Sequence, residues 1–76
     1  MNIKDLGAGI RRLQGDEAFN YLVEKIKKDQ GDIFFNPYSS DDDRAEAHTI
    51  VRALGKIEDC IAQVLQDEAI YDKKHK

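Results

Sequence analysis

In the first third of the chain, apolar positions recur at steps of three and four. Ile3, Leu6, Ile10 and Leu13 share one stripe, the mark of an amphipathic helix that lays one face on a neighbour. Asn2 is suited to cap that helix and Gly15 to stop it, so the pattern predicts a helix over about 2–14. Asp16 then caps a second segment, in which Ala18, Phe19, Leu22, Val23 and Ile26 form a stripe and Glu24, Lys25, Lys27 and Lys28 take the opposite side. With Gly31 in the position of a C-terminal cap, this helix is expected over about 16–30. Asp16 and Glu17 at its start and Lys27 and Lys28 near its end both suit the helix dipole.

The helical period stops after Gly31. Ile33-Phe34-Phe35 is a continuous apolar run, and Asn36-Pro37 biases the backbone away from helix, so residues 31–39 are expected to be a connecting loop. Ser39 or Ser40 next offers an N-cap, and Asp41, Asp42 and Asp43 favour the positive end of a helix. A long helix over about 40–72 follows. Its apolar positions Ala47, Ile50, Leu54, Ile57, Ile61 and Val64 alternate steps of three and four, and Val51 and Leu65 widen the seam. This is a heptad pattern held for nearly three repeats, just short of what defines a coiled coil. Gly55 lies off the seam and costs about 1 kcal/mol relative to Ala without ending the helix.

These elements predict an all-α fold: two short helices followed by one long amphipathic helix, arranged as a three-helix single domain. A helix of roughly 30 residues is about 45 Å long, whereas a compact globule of this size is on the order of 30 Å across. The long helix should overhang. Either helices one and two, laid end to end, cover most of its seam, or two copies of it pair with each other. Its C-terminal turns, with Leu65, Ile70 and Tyr71, are those expected to need a partner.

Composition sharpens this picture. At 76 residues the chain makes one domain at most, and its single Cys60 and scattered histidines offer neither an internal disulfide nor zinc-site spacing. Helix packing, self-association or a partner must supply the stability. No apolar run approaches the roughly 18 residues of a membrane span, and the N-terminus lacks the apolar core of a signal peptide, which points to a cytoplasmic protein. The net charge of -3 is unevenly placed: residues 1–30 are near neutral, while residues 31–76 hold six Lys/Arg against ten Asp/Glu. An acidic balance disfavours general binding to nucleic acid, which needs several cations along one face.

Candidate chemistry is sparse. Cys60 and His48 are the obvious nucleophile and base, but twelve positions apart on one helix they are separated by about 18 Å, far beyond hydrogen-bond reach. Cys60, on the flank of the seam, reads as a small buried residue. Glu68, Asp72 and His75 share a helical face, and Asp41–Asp43 with His48 make a second acidic set, but the first lies at a terminus expected to fray and the second is better read as charge complementing a helix N-terminus than as a metal site. Gly7-Ala8-Gly9 lacks the preceding strand and third glycine of a dinucleotide fingerprint, and suggests instead close helix approach or a flexible first helix. Arg11, Arg12, Lys25, Lys27 and Lys28 could form a basic patch, which acidic side chains on the third helix can neutralise. No catalytic residue, cofactor, metal or small-molecule substrate is assigned.

Two features point to a protein partner, a homo-oligomer, or both. The aromatic stretch with Phe34, Phe35 and Tyr38 either plugs one end of the bundle or presents an interface anchor. The seam, with Ile50, Leu54, Ile57, Ile61, Val64 and Leu65, and Tyr71 beyond it, either packs within the chain or self-associates. The favoured reading is a non-catalytic interaction or assembly module that self-associates through the long helix. A small acidic inhibitor or regulator, occupying a basic cleft of an enzyme with Asp41–Asp43, is the alternative; nucleic-acid binding through the basic hairpin comes after it.

The segment Leu13-Gln14-Gly15-Asp16-Glu17-Ala18-Phe19, a Pro-containing loop, and Asp43-Arg44-Ala45-Glu46-Ala47-His48 leading into Arg52-Ala53-Leu54 resemble small helical accessory proteins of tailed bacteriophages. The similarity covers roughly residues 10–60 and rests on patterning. It implies an accessory in virion assembly or a protein that engages a host factor, located in the host cytoplasm or the virion, and it carries over no catalytic residue.

Overall fold

A computed structural model describes residues 1–75 as three helices: α1 (Ile3–Gln14), α2 (Glu17–Phe35) and α3 (Asp41–Lys74). Each start is fixed by a side chain that accepts from an otherwise unpaired backbone N–H. Asn2 Oδ1 accepts from Asp5 N at 2.9 Å, and Asp16 Oδ1 from Phe19 N at 2.8 Å. At α3 the exchange is reciprocal: Ser40 Oγ accepts from Asp43 N at 3.0 Å, and Asp43 Oδ2 accepts from Ser40 N at 3.2 Å. Asp41, Asp42 and Asp43 all lie in the first turn of α3, where their charge complements the helix dipole.

Helices α1 and α2 follow one another along α3. The N-terminal half of α1 lies beside Glu68 and Asp72, the start of α2 beside Ile61 and Leu65, and its end beside Ala47 and Ile50. The molecule is a slab two helices thick, 57 × 22 × 17 Å, with a radius of gyration of 16.6 Å. A compact chain of 76 residues would have a radius of about 11 Å. Among the described residues no helix is long and apolar enough to cross a membrane.

The predicted end of α2 needs correction. The helix runs through Gly31 to Phe35, so the loop expected over 31–39 shrinks to residues 36–40 and Ile33, Phe34 and Phe35 are helical. Gly31 does not adopt the positive φ that would make it a cap. Ion pairs Lys25–Asp29 at 2.8 Å and Lys28–Asp32 at 2.9 Å, each four residues apart, carry the helix up to and past the glycine. Termination comes instead from Asn36-Pro37, with Asn36 extended at φ -73°, ψ 121° as proline requires of its predecessor. The freed carbonyls are taken up locally: Ser39 Oγ donates to Ile33 O at 2.6 Å, and Arg44 donates to Phe34 O and Asn36 O at 3.3 and 3.2 Å.

Two helical layers cannot enclose a core. Among the described residues the buried apolar side chain is Ala47, 1 % exposed, and no large side chain is fully buried. Ile50, Leu54, Ile61, Val64 and Leu65 are half-buried under α1 and α2. The accessible surface, 6045 Å², exceeds by about 1,300 Å² what a compact monomer of 8.7 kDa exposes.

Candidate functional site

An open groove of about 700 Å³ lies between α2 and α3. One wall is formed by Phe19, Leu22, Val23 and Ile26, the other by Leu54, Ile57, Ile61 and Leu65. Leu22 is 55 % exposed and Ile57 51 %. Both sit at apolar positions of their helices, yet neither has a third layer to pack against. The polar rim is nearly self-neutral, since Lys27 Nζ, held above its usual pKa, pairs with Glu58 across the groove and Glu24 lies nearby. This surface can bury apolar groups; it holds no arrangement of nucleophile, base and electrophile.

No family model, curated protein or solved structure matches this chain.

A second surface lies at the pole where α2 turns into α3. Phe35 is 82 % exposed and Tyr38 94 %, with Phe34 edge-on to Phe35 at a centroid distance of 5.3 Å. These aromatics do not plug the bundle. The turn that carries them is held by Arg44 and Ser39 and by Asn36 Oδ1, which accepts from Tyr38 N at 2.9 Å. Residues 28–46 contain six acids and two bases, a net of -4, whereas the rest of the chain is at +1. The whole acidic excess thus surrounds the exposed aromatics.

The opposite end is closed by charge. Glu68 is 3 % exposed, and both of its oxygens are occupied: Oε1 by Lys4 Nζ at 3.0 Å and Oε2 by an Arg11 guanidinium nitrogen at 2.7 Å. Lys4 also reaches Asp72 at 2.8 Å. Gly7 makes this possible, because a Cβ there would overlap Glu68 Oε2. Hydrogen bonds from Arg11 and then Lys4 hold the Glu68 carboxyl below its usual pKa, against the opposing effect of burial. Asp72 and Glu68 in turn raise Lys4, and Glu68 raises Arg11.

The structure distributes the predicted residues unevenly. It gathers Leu54, Ile57, Ile61 and Leu65 on the groove, sets Ile50 near the opposite end of α2, and leaves Val64 half-buried. Tyr71 is exposed toward the C-terminal end, its ring 4.2 Å from that of His75. Cys60, expected to be a small buried residue, is exposed: with Ile57 and Ile61 turned toward the groove, its position on the helix falls outside the seam. His48 is exposed as well. Of the proposed basic patch, Arg11 and Lys27 pair with α3, while Lys25 and Lys28 pair within α2. Periodicity marked Leu22 and Ile26 as apolar but not as half of an open groove. The close approach expected at Gly7-Ala8-Gly9 and the expected neutralisation of Arg11 by α3 are both met by Glu68; the part missed is Lys4, whose signal is two cations flanking a glycine at steps of three and four on one helical face.

Proposed function

We propose that the chain is a non-catalytic protein-interaction and assembly module whose working surface is the open apolar face of α2 and α3. The observation that carries this reading is the open groove itself, lined by apolar side chains of both helices, with Leu22 55 % and Ile57 51 % exposed. A contiguous apolar face rimmed by polar residues is the usual mark of an interaction surface. An assembly role also agrees with the resemblance to phage accessory proteins. The test uses an apolar fluorescent dye and the native mass together. On this reading the chain either associates or, as a monomer, binds the dye saturably, with binding lost in Ile57→Asp. A monomer that binds no dye at any concentration would end the reading.

A second reading is favoured by the acidic, aromatic pole: a regulator that inserts Phe35 and Tyr38 into a pocket rimmed by basic residues of an enzyme. Exposed charge contacts are screened by salt, so such a complex should weaken steeply between about 0.05 and 0.5 M salt. A complex indifferent to salt and to Tyr38→Ser would rule this pole out.

A further inference from the structure

Resting on the interaction reading, we propose that the occupant of the α2–α3 groove is a second copy of this chain, related by a two-fold axis across the groove, so that two double-helix layers close into a four-helix bundle.

Three observations select this occupant. The linkers, Gly15–Asp16 and residues 36–40, are too short to fold over the groove, so neither can cover it. The slab is two helices thick along the groove, which is half of a four-helix bundle, and the second layer it lacks has the same shape and apolar character as itself. The rim offers no field to attract a strongly charged partner: Lys27 is already paired with Glu58, and the acidic excess lies away at the α2–α3 turn. A near-neutral apolar face fits its own copy, because under two-fold symmetry each patch meets itself without like charges opposed.

In this dimer Leu22 and Ile57 pass from half-exposed to buried. Each counts twice by symmetry, so Asp at either position places two carboxylates in the new core.

The experiment is sedimentation equilibrium of the full chain from 5 to 500 µM, concentrations on the order of those that separate weak from stable association. The wild type should show twice 8.7 kDa. Leu22→Asp and Ile57→Asp should each weaken the dimer by at least about 100-fold, two hot-spot losses being introduced at once. Circular dichroism should show both variants still helical, since neither side chain is buried in the single chain. Phe35→Ser, at the far pole, should leave the dimer intact. A monomeric wild type at the highest concentration overturns the proposal. So does a dimer that survives both aspartates. A wild-type monomer that binds the apolar dye in the groove would remove the second copy yet leave the interaction reading standing, whereas a monomer that binds none removes both.

Discussion

The two halves of α3 are covered by different chemistry. Toward its C-terminus, α1 is fastened by a buried carboxylate set into a glycine and held by two cations from the opposing helix. Toward its middle, α2 lies against Leu54 and Ile61 but leaves Leu22 and Ile57 open. The first contact is directional and complete, with no buried side-chain polar atom lacking a partner among the described residues. The second is non-directional and unfinished. A hydrogen-bonded ion cluster fixes a geometry, but much of its Coulomb energy is offset by desolvation. An apolar face stabilises in proportion to the water it excludes, and so rewards whatever covers it. The molecule is therefore specified at one end and left open along its middle.

The harshest way to break this contrast is to charge the covered part of the apolar half. Leu54 and Ile61 are half-buried beneath α2, unlike Ile57. Replacing both by Asp removes two large apolar side chains and puts carboxylates in their place, costing about 4 kcal/mol or more. That is a large share of the stability of a domain this small. Thermal unfolding by circular dichroism should show a collapse of helicity at 25 °C. A variant with the cooperative transition and mass of the wild type would show that the seam does not hold the fold together.

A subtler break separates geometry from propensity at Gly7. Alanine is better than glycine inside a helix by about 1 kcal/mol, so an unconstrained Gly7→Ala would stabilise α1. Here the added methyl competes with the Glu68 carboxylate, and overfilling a fitted contact costs about 1–3 kcal/mol. The expected result is net destabilisation. In a Glu68→Ala background the obstacle is gone, and the same change should become stabilising. This reversal of sign, measured by urea unfolding of the four variants, tests the close approach directly; additive effects would refute it.

How much of this was legible follows from the period of the pattern. The three helices, their order and the length of the last were readable because apolar steps of three and four and strong caps agree at Asn2, Asp16 and Ser40. The end of α2 was misread because Gly31 and the run Ile33-Phe34-Phe35 interrupt the stripe locally. In fact Phe19, Leu22, Val23, Ile26, Gln30 and Ile33 keep the helical step, with a polar Gln30 in the apolar row. The terminator was Pro37, not the glycine. The groove was only half legible: periodicity says which face of a helix is apolar, not how much of that face a neighbour will cover. The ion cluster was legible in part: Gly7-Ala8-Gly9 suggested close helix approach and acids of the third helix were expected to neutralise Arg11, but no periodic trace names Glu68 as the residue that Lys4 and Arg11 share.

Acid should distinguish the two halves. Glu68 is held below its ordinary pKa in the folded state, so its contribution is present above the unfolded carboxylate value and is lost as pH falls through the lowered one. Lys4 and Arg11 are raised and stay charged throughout that window. Between about pH 5 and pH 2, amide protection in α1 should therefore decline while the apolar contact of α2 with α3 persists. Glu68→Gln should flatten this dependence for α1 and lower its protection at neutral pH. Equal acid sensitivity of α1 in wild type and variant would mean that other carboxylates hold it.

The smallest expected effects sit at the two glycines that nothing approaches. Among the described residues, and beyond the chain neighbours and the helix's own backbone, nothing lies within 4 Å of where a Cβ would stand at Gly31 or Gly55, and neither residue has positive φ. With neither close approach nor backbone conformation requiring them, each is a helix-interior glycine whose cost is conformational entropy. Gly31→Ala and Gly55→Ala should each stabilise the isolated chain by about 0.5–1 kcal/mol, read as a rise in the urea midpoint at unchanged slope. The same substitution thus has opposite expected signs at Gly7 and at these two sites, although all three lie within helices. Should Gly31→Ala stabilise dilute protein but lose that gain at high concentration, the added methyl would lie in the path of an associating copy, placing the dimer contact farther along α2 than the groove alone indicates.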